Sequence, residues 1–122
     1  MPIRRSDLGD RATSAHRRRS NNPPILILMS LAGGPKHGHA LLRDIAEFAG
    51  VKLGPGALYG AITRLEEHGL IEPLESDDRR RPYQITAPGS QALADYVAQM
   101  RDLVEVGQAR LKLVRKPCAG LA

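Results

Sequence analysis

Arginine is clustered at two places in the sequence, Arg17-Arg18-Arg19 and Arg79-Arg80-Arg81. A guanidinium is a permanent cation with donors in a planar fork that matches the oxygens of a phosphate. Clusters of this kind recognise polyanions; they do not make or break bonds. The first lies in residues 1–22, where six arginines face only Asp7 and Asp10. The remaining 100 residues carry twelve basic and eleven acidic side chains, so the formal charge of +5 is concentrated in an N-terminal arm. Such an arm docks on a polyanionic partner or serves as a solvated tail. Asp77 and Asp78 precede the second cluster, so local ion pairing competes there with phosphate binding. In an extended strand Arg79 and Arg81 share one face and Arg80 takes the other.

Other chemistries are poorly supplied. The histidines fall at positions 16, 37, 39 and 68. His37 and His39 are too close for a helical ligand pair, and no Cys, Asp or Glu cluster surrounds them. No metal or other cofactor is expected. Neither a nucleophile elbow, a phosphate loop nor a framed carboxylate pair appears, so the sequence does not read as an enzyme. Cys118 is the single cysteine and cannot form an internal disulfide, which fits a reducing, cytoplasmic setting. One Phe, three Tyr and no Trp leave little for a ring-lined pocket within one subunit. No apolar run approaches the roughly 20 residues that span a bilayer, so no membrane partner is expected.

The elements that must position the arginines follow from punctuation and periodicity. Residues 1–22 are too polar to offset chain entropy and are expected to be disordered. Pro23-Pro24 opens an apolar run, Ile25–Leu31, that periodicity alone leaves as strand or helix. Proline at its start and Gly33-Gly34 past its end favour a helix. Leu41, Leu42, Ile45, Ala46 and Phe48 define the apolar face of a second helix stopped by Gly50. A third begins at Gly54-Pro55 and ends at Gly69, with the stripe Leu58, Ile62, Leu65 on one side. The period then changes. Leu70–Glu75 reads as an edge strand because of Pro73, Ser76-Asp77-Asp78 as a turn, and Arg79–Thr86 as the returning strand.

The last element, residues 88–116, has a heptad seam. Leu93, Val97, Met100, Val104, Gly107, Leu111 and Val114 are spaced alternately four and three apart. A helix of about 26 residues within it extends about 39 Å, too far for so small a body to cover. Burial against a second copy is the economical solution, giving a homodimer; the alternative is a helix folded back over its own domain. Residues 117–122 read as a flexible tail. The expected fold is mainly α with a small β-hairpin: a winged helix-turn-helix over 23–87, then a long C-terminal dimerisation helix.

A short capped helix reached through a tight connector is a helix-turn-helix arrangement. A hairpin with arginines at its tip is how a wing reaches phosphates or a minor groove. The partner this predicts is duplex DNA. On the third helix, the face opposite the stripe shows Gly56, Tyr59, Gly60 and Thr63. The glycines keep it low, and the hydroxyls suit phosphates or base edges; a packed Tyr59 ring is the alternative. Lys36 and His37 precede the second helix, where phosphate is favoured, or are ordinary turn polarity. Arg79, Arg80 and Arg81 supply the wing, and Arg17, Arg18 and Arg19 extend toward a neighbouring groove.

Four stretches carry a family likeness: Gly34-Pro35-Lys36-His37-Gly38-His39, Leu53-Gly54-Pro55-Gly56-Ala57-Leu58-Tyr59-Gly60-Ala61-Ile62, Arg64-Leu65-Glu66-Glu67-His68-Gly69-Leu70-Ile71, and Arg79-Arg80-Arg81-Pro82-Tyr83-Gln84-Ile85-Thr86. In this order they resemble PadR-type transcriptional regulators, over about residues 24–90. The tail resembles the smaller subgroup with one C-terminal helix. The sequence departs from the family at His39, where an aromatic is frequent, at Ala57 for Thr, at Gly60 for Pro, and in a wing turn without glycine. The resemblance implies DNA contact by Tyr59, and a two-fold dimer would meet a pseudo-palindromic operator. It also implies repression of a nearby promoter, relieved by a small aromatic or apolar effector. A protein-interaction module on the same scaffold, without DNA binding, is the alternative function.

Overall fold

The computed structural model describes residues 22–76 and 80–121, with side chains to 114. The arm, with Arg17, Arg18 and Arg19, and the wing-tip residue Arg79 lie outside the described residues. Packing divides the chain into one unit ending at Ser90 and a second beginning at Gln91.

In the first unit, α1 (Pro23–Ala32) is a helix. The ambiguity of its apolar run is settled by the two prolines, which occupy the first helical positions, where no N–H is needed. Leu26, Ile27, Leu28, Ser30 and Leu31 are all buried, since α1 packs against α2, α3 and β2 and has little free face. Helix α2 (Gly38–Ala49) ends at Gly50, whose φ of 65° is left-handed and whose N–H donates to the Ala46 carbonyl. Its buried face is narrower than expected: Leu41 and Ile45 are buried, whereas Ala46 is exposed and Phe48 is 46% exposed. Phe48 lies two turns on from Leu41, at the helix's last turn, beyond the packed layer.

Helix α3 (Pro55–Glu67) buries Leu58, Ala61, Ile62 and Leu65. It ends in a Schellman closure. Gly69 N–H donates to the Glu66 carbonyl, and Leu70 N–H reaches back to Leu65 at 2.9 Å, with Gly69 at φ 71°. The core is made by these residues together with Leu53 and Ile71.

The hairpin is shorter than expected. β1 (Ile71–Pro73) and β2 (Tyr83–Ile85) are antiparallel, pairing Ile71 with Ile85, Glu72 with Gln84 and Pro73 with Tyr83. Pro73 and Pro82 lack N–H donors, which limits the ladder. The outer side of β2 is also used: Lys36 and Tyr83 exchange both backbone bonds, at 3.1 and 2.9 Å. That single pair fastens the α1–α2 connector to the wing.

Helix α4 (Ala87–Leu121) starts on Thr86, whose hydroxyl accepts from Gly89 N–H at 3.1 Å and donates to the Gly69 carbonyl at 2.6 Å. The helix runs to Leu121, through most of the segment 117–122 expected to be a tail. A proline such as Pro117 removes one i→i−4 bond, and here it does not end the helix. In the second unit, Leu93 and Met100 are half-buried, and Val97, Val104, Leu111 and Val114 are exposed. No helix among the described residues is long and apolar enough to cross a membrane.

Candidate nucleic-acid interface

Three elements of the first unit converge on one cleft of about 440 Å3, lined by His37, Gly38 and His39 from the start of α2, Tyr59 from α3, and Arg80, Arg81 and Tyr83 from the wing. Each element presents its residues for a local reason. His37 is the N-cap of α2, and its Nδ1 accepts from the Ala40 N–H at 3.4 Å. That acceptor role places the proton of the neutral ring on Nε2. Tyr59 stands opposite the buried side of α3 and is 52% exposed. Arg80 and Arg81 are exposed on the approach to β2.

Tyr83 links these parts. Burial pushes its phenol above the ordinary value of 10.0, and Glu66 and Tyr59 push the same way, while Arg81 opposes them. The phenol therefore stays protonated at neutral pH. Its backbone is held by Lys36 and its side chain faces groups from α3 and the wing.

The exposed side of α3 carries Gly56, Tyr59, Gly60 and Thr63, as the periodicity predicts. A Cβ at Gly56 or Gly60 would meet nothing of the chain within 4 Å, so this surface is open to an approaching body. Thr63 donates its hydroxyl proton to the Tyr59 carbonyl at 2.9 Å, which leaves its lone pairs outward as acceptors. Lys36 is different. Its ammonium turns into the fold, donating to the Ser30 carbonyl at 2.5 Å and the Gly34 carbonyl at 3.3 Å, and lies 3.8 Å from Asp44 Oδ2. Ser30 also donates to Asp44, at 2.6 Å. Lys36 thus caps the C-terminal end of α1 and is absent from the cleft lining.

Sequence reasoning missed Gly38, His39 and Tyr83 as cleft residues, although all three lie in the stretches that carry the family likeness. On α4, Leu103, Val106 and Leu113 are 52–62% exposed and lie outside the seam. The signal was present as apolar residues one flank away from the heptad positions. Among the described residues, no three His, Cys, Asp or Glu side chains are grouped to hold a metal.

The model of the PadR-like family of transcriptional regulators matches residues 27–95. That span covers α1 to the start of α4, including every element that lines the cleft. The chain belongs to the PadR-like family. A PadR family transcription regulator from Clostridium difficile R20291 superposes with a TM-score of 0.67 at 24% identity, over 73% of this chain and 97% of that one. One from Eggerthella lenta DSM 2243 gives 0.65 at 25%, over 85% and 88%. An uncharacterised 37.1 kDa protein in transposon TN4556 of Streptomyces fradiae is 45% identical over 75 residues, 62% of this chain. The match spans 22% of that protein's length. The PadR-like chain thus carries the winged helix of a family of transcriptional regulators.

Proposed function

We propose that the chain is a sequence-specific DNA-binding repressor that works as a homodimer in the cytoplasm. The observation that carries this reading is the convergence of His37, Tyr59, Arg80 and Arg81 on one cleft beside the open face of α3. Phosphate backbone fits the cations and hydroxyls of the cleft, and base edges fit the low surface around Gly56 and Gly60. Arg79, and Arg17, Arg18 and Arg19 of the arm, add phosphate contacts in this account.

Dimerisation is supported by α4. Val104, Leu111 and Val114 of the seam are more than half exposed, and such a stripe is buried at little cost by its own copy. Leu93, Val97, Met100 and Gly107 complete the stripe. A two-fold pair would meet pseudo-palindromic half-sites about one helical turn apart. Release follows from a small apolar or aromatic effector lodged between the subunits, where the apolar side chains of both α4 helices line the space.

The test is selection of bound sequences from random duplexes by the full chain, followed by a gel shift on the selected site. The reading expects an inverted repeat and a single shifted species of dimer stoichiometry. Recovery of no common sequence contradicts it.

A further inference from the structure

We infer that Gly38, which has no side chain, positions Tyr59 for duplex binding; the inference rests on the DNA-binding reading above. Gly38 is the first residue of α2, and its φ is not in the left-handed region, so backbone conformation does not demand glycine there. Space does. A Cβ built on Gly38 falls 2.6 Å from Tyr59 Oη, 3.1 Å from Cζ and 3.3 Å from Cε1. Unbonded carbon atoms prefer about 3.5–4.0 Å. Gly38 is buried although Tyr59, which lies over it, is half exposed.

The hydroxyl of an α3 side chain thus sits against the first turn of α2. The first N–H groups of a helix have no partner within it and attract anions. His37 caps only the Ala40 N–H. The Tyr59 hydroxyl and the start of α2 therefore address the same cleft, into which Arg80 and Arg81 also reach. One phosphate can be held by both helices of the helix-turn-helix because position 38 has no side chain. Any side chain at 38 pushes the ring outward and separates the two.

Alanine is the better helix former, so Gly38→Ala by itself favours α2. Stability and binding should then move in opposite directions. The experiment compares the full chain with Gly38→Ala, Tyr59→Phe and the double variant, by thermal melting and by anisotropy with a fluorescein-labelled random-sequence duplex at low salt. Gly38→Ala should melt no lower than the parent, yet bind roughly tenfold more weakly, the scale of one hydrogen bond to a charged group. Tyr59→Phe should lose a similar factor. In the Tyr59→Phe background, Gly38→Ala should cost less than about twofold, because the hydroxyl contact that the displaced ring would lose is already gone. An equal loss in both backgrounds, or no loss from Gly38→Ala, overturns the role.

NMR cross-peaks between the Gly38 α-protons and the Tyr59 ring, expected in the parent, test the contact without DNA. Their absence overturns the inference. A parent that shows the cross-peaks but does not bind the duplex overturns the DNA-binding reading and leaves the contact standing.

Discussion

Lys36 and Tyr83 exchange backbone bonds but do different work with their side chains. The Lys36 ammonium satisfies carbonyls at the end of α1 and approaches Asp44, so it stabilises the fold. Lys36→Met should lower stability by about 1–2 kcal/mol in chemical denaturation, the scale of lost hydrogen bonds to a charged group. It should leave the salt dependence of duplex binding unchanged. A phosphate-binding lysine would instead reduce that slope by about one on removal. The Tyr83 phenol, raised above 10.0 mainly by burial, gives a pH prediction with a definite sign. Because the folded value lies above the unfolded one, its contribution is complete below about pH 10 and is lost as pH rises through the folded value. Tyr83→Phe should flatten the loss of stability measured above pH 10, and an unchanged alkaline limb would exclude Tyr83 as its source. The sequence showed the cations but not their direction. Lys36 turns inward because the connector folds it back over the Ser30 and Gly34 carbonyls and beside Asp44 of α2, a direction that depends on the path of the connector.

At the scale of elements, the helices were legible because their ends carry local chemistry: Pro23, Pro24 and Pro55 at the starts, Gly50 and Gly69 at left-handed stops. The hairpin was legible in place but not in length, since proline limits pairing and the Lys36–Tyr83 pair has no sequence signal. The width of each buried face was also out of reach: Phe48 follows the α2 pattern yet lies beyond the core. At the join to α4, packing is most exacting at Gly89. A Cβ there would overlap the Leu70 carbonyl oxygen and crowd Ile85. The carbonyl is fixed by its bond from Thr86 N–H, so it cannot yield. Gly89→Ala should therefore cost about 1–3 kcal/mol or more, read as a lowered melting temperature. By contrast, Gly60→Ala meets open space and should leave that temperature the same or higher.

At the scale of the whole molecule, the account requires two copies joined through α4 and a phosphate-binding surface on each. Leu111 is 62% exposed in the single chain, so charge at that position harms only an assembly. Leu111→Asp should convert the dimer to a monomer of unchanged helical content, as judged by light scattering and circular dichroism. It should also weaken binding to a two-half-site duplex far more than binding to a single half-site. The central claim, that cations around the Tyr59 cleft hold duplex phosphates, is tested most directly by measuring duplex affinity of the full chain across salt concentrations, beside the Arg80→Ala/Arg81→Ala variant. The account predicts a linear fall of log affinity with log salt, and a slope shallower by about one for each arginine that holds a phosphate. Identical slopes for both proteins, or an affinity indifferent to salt, would contradict it.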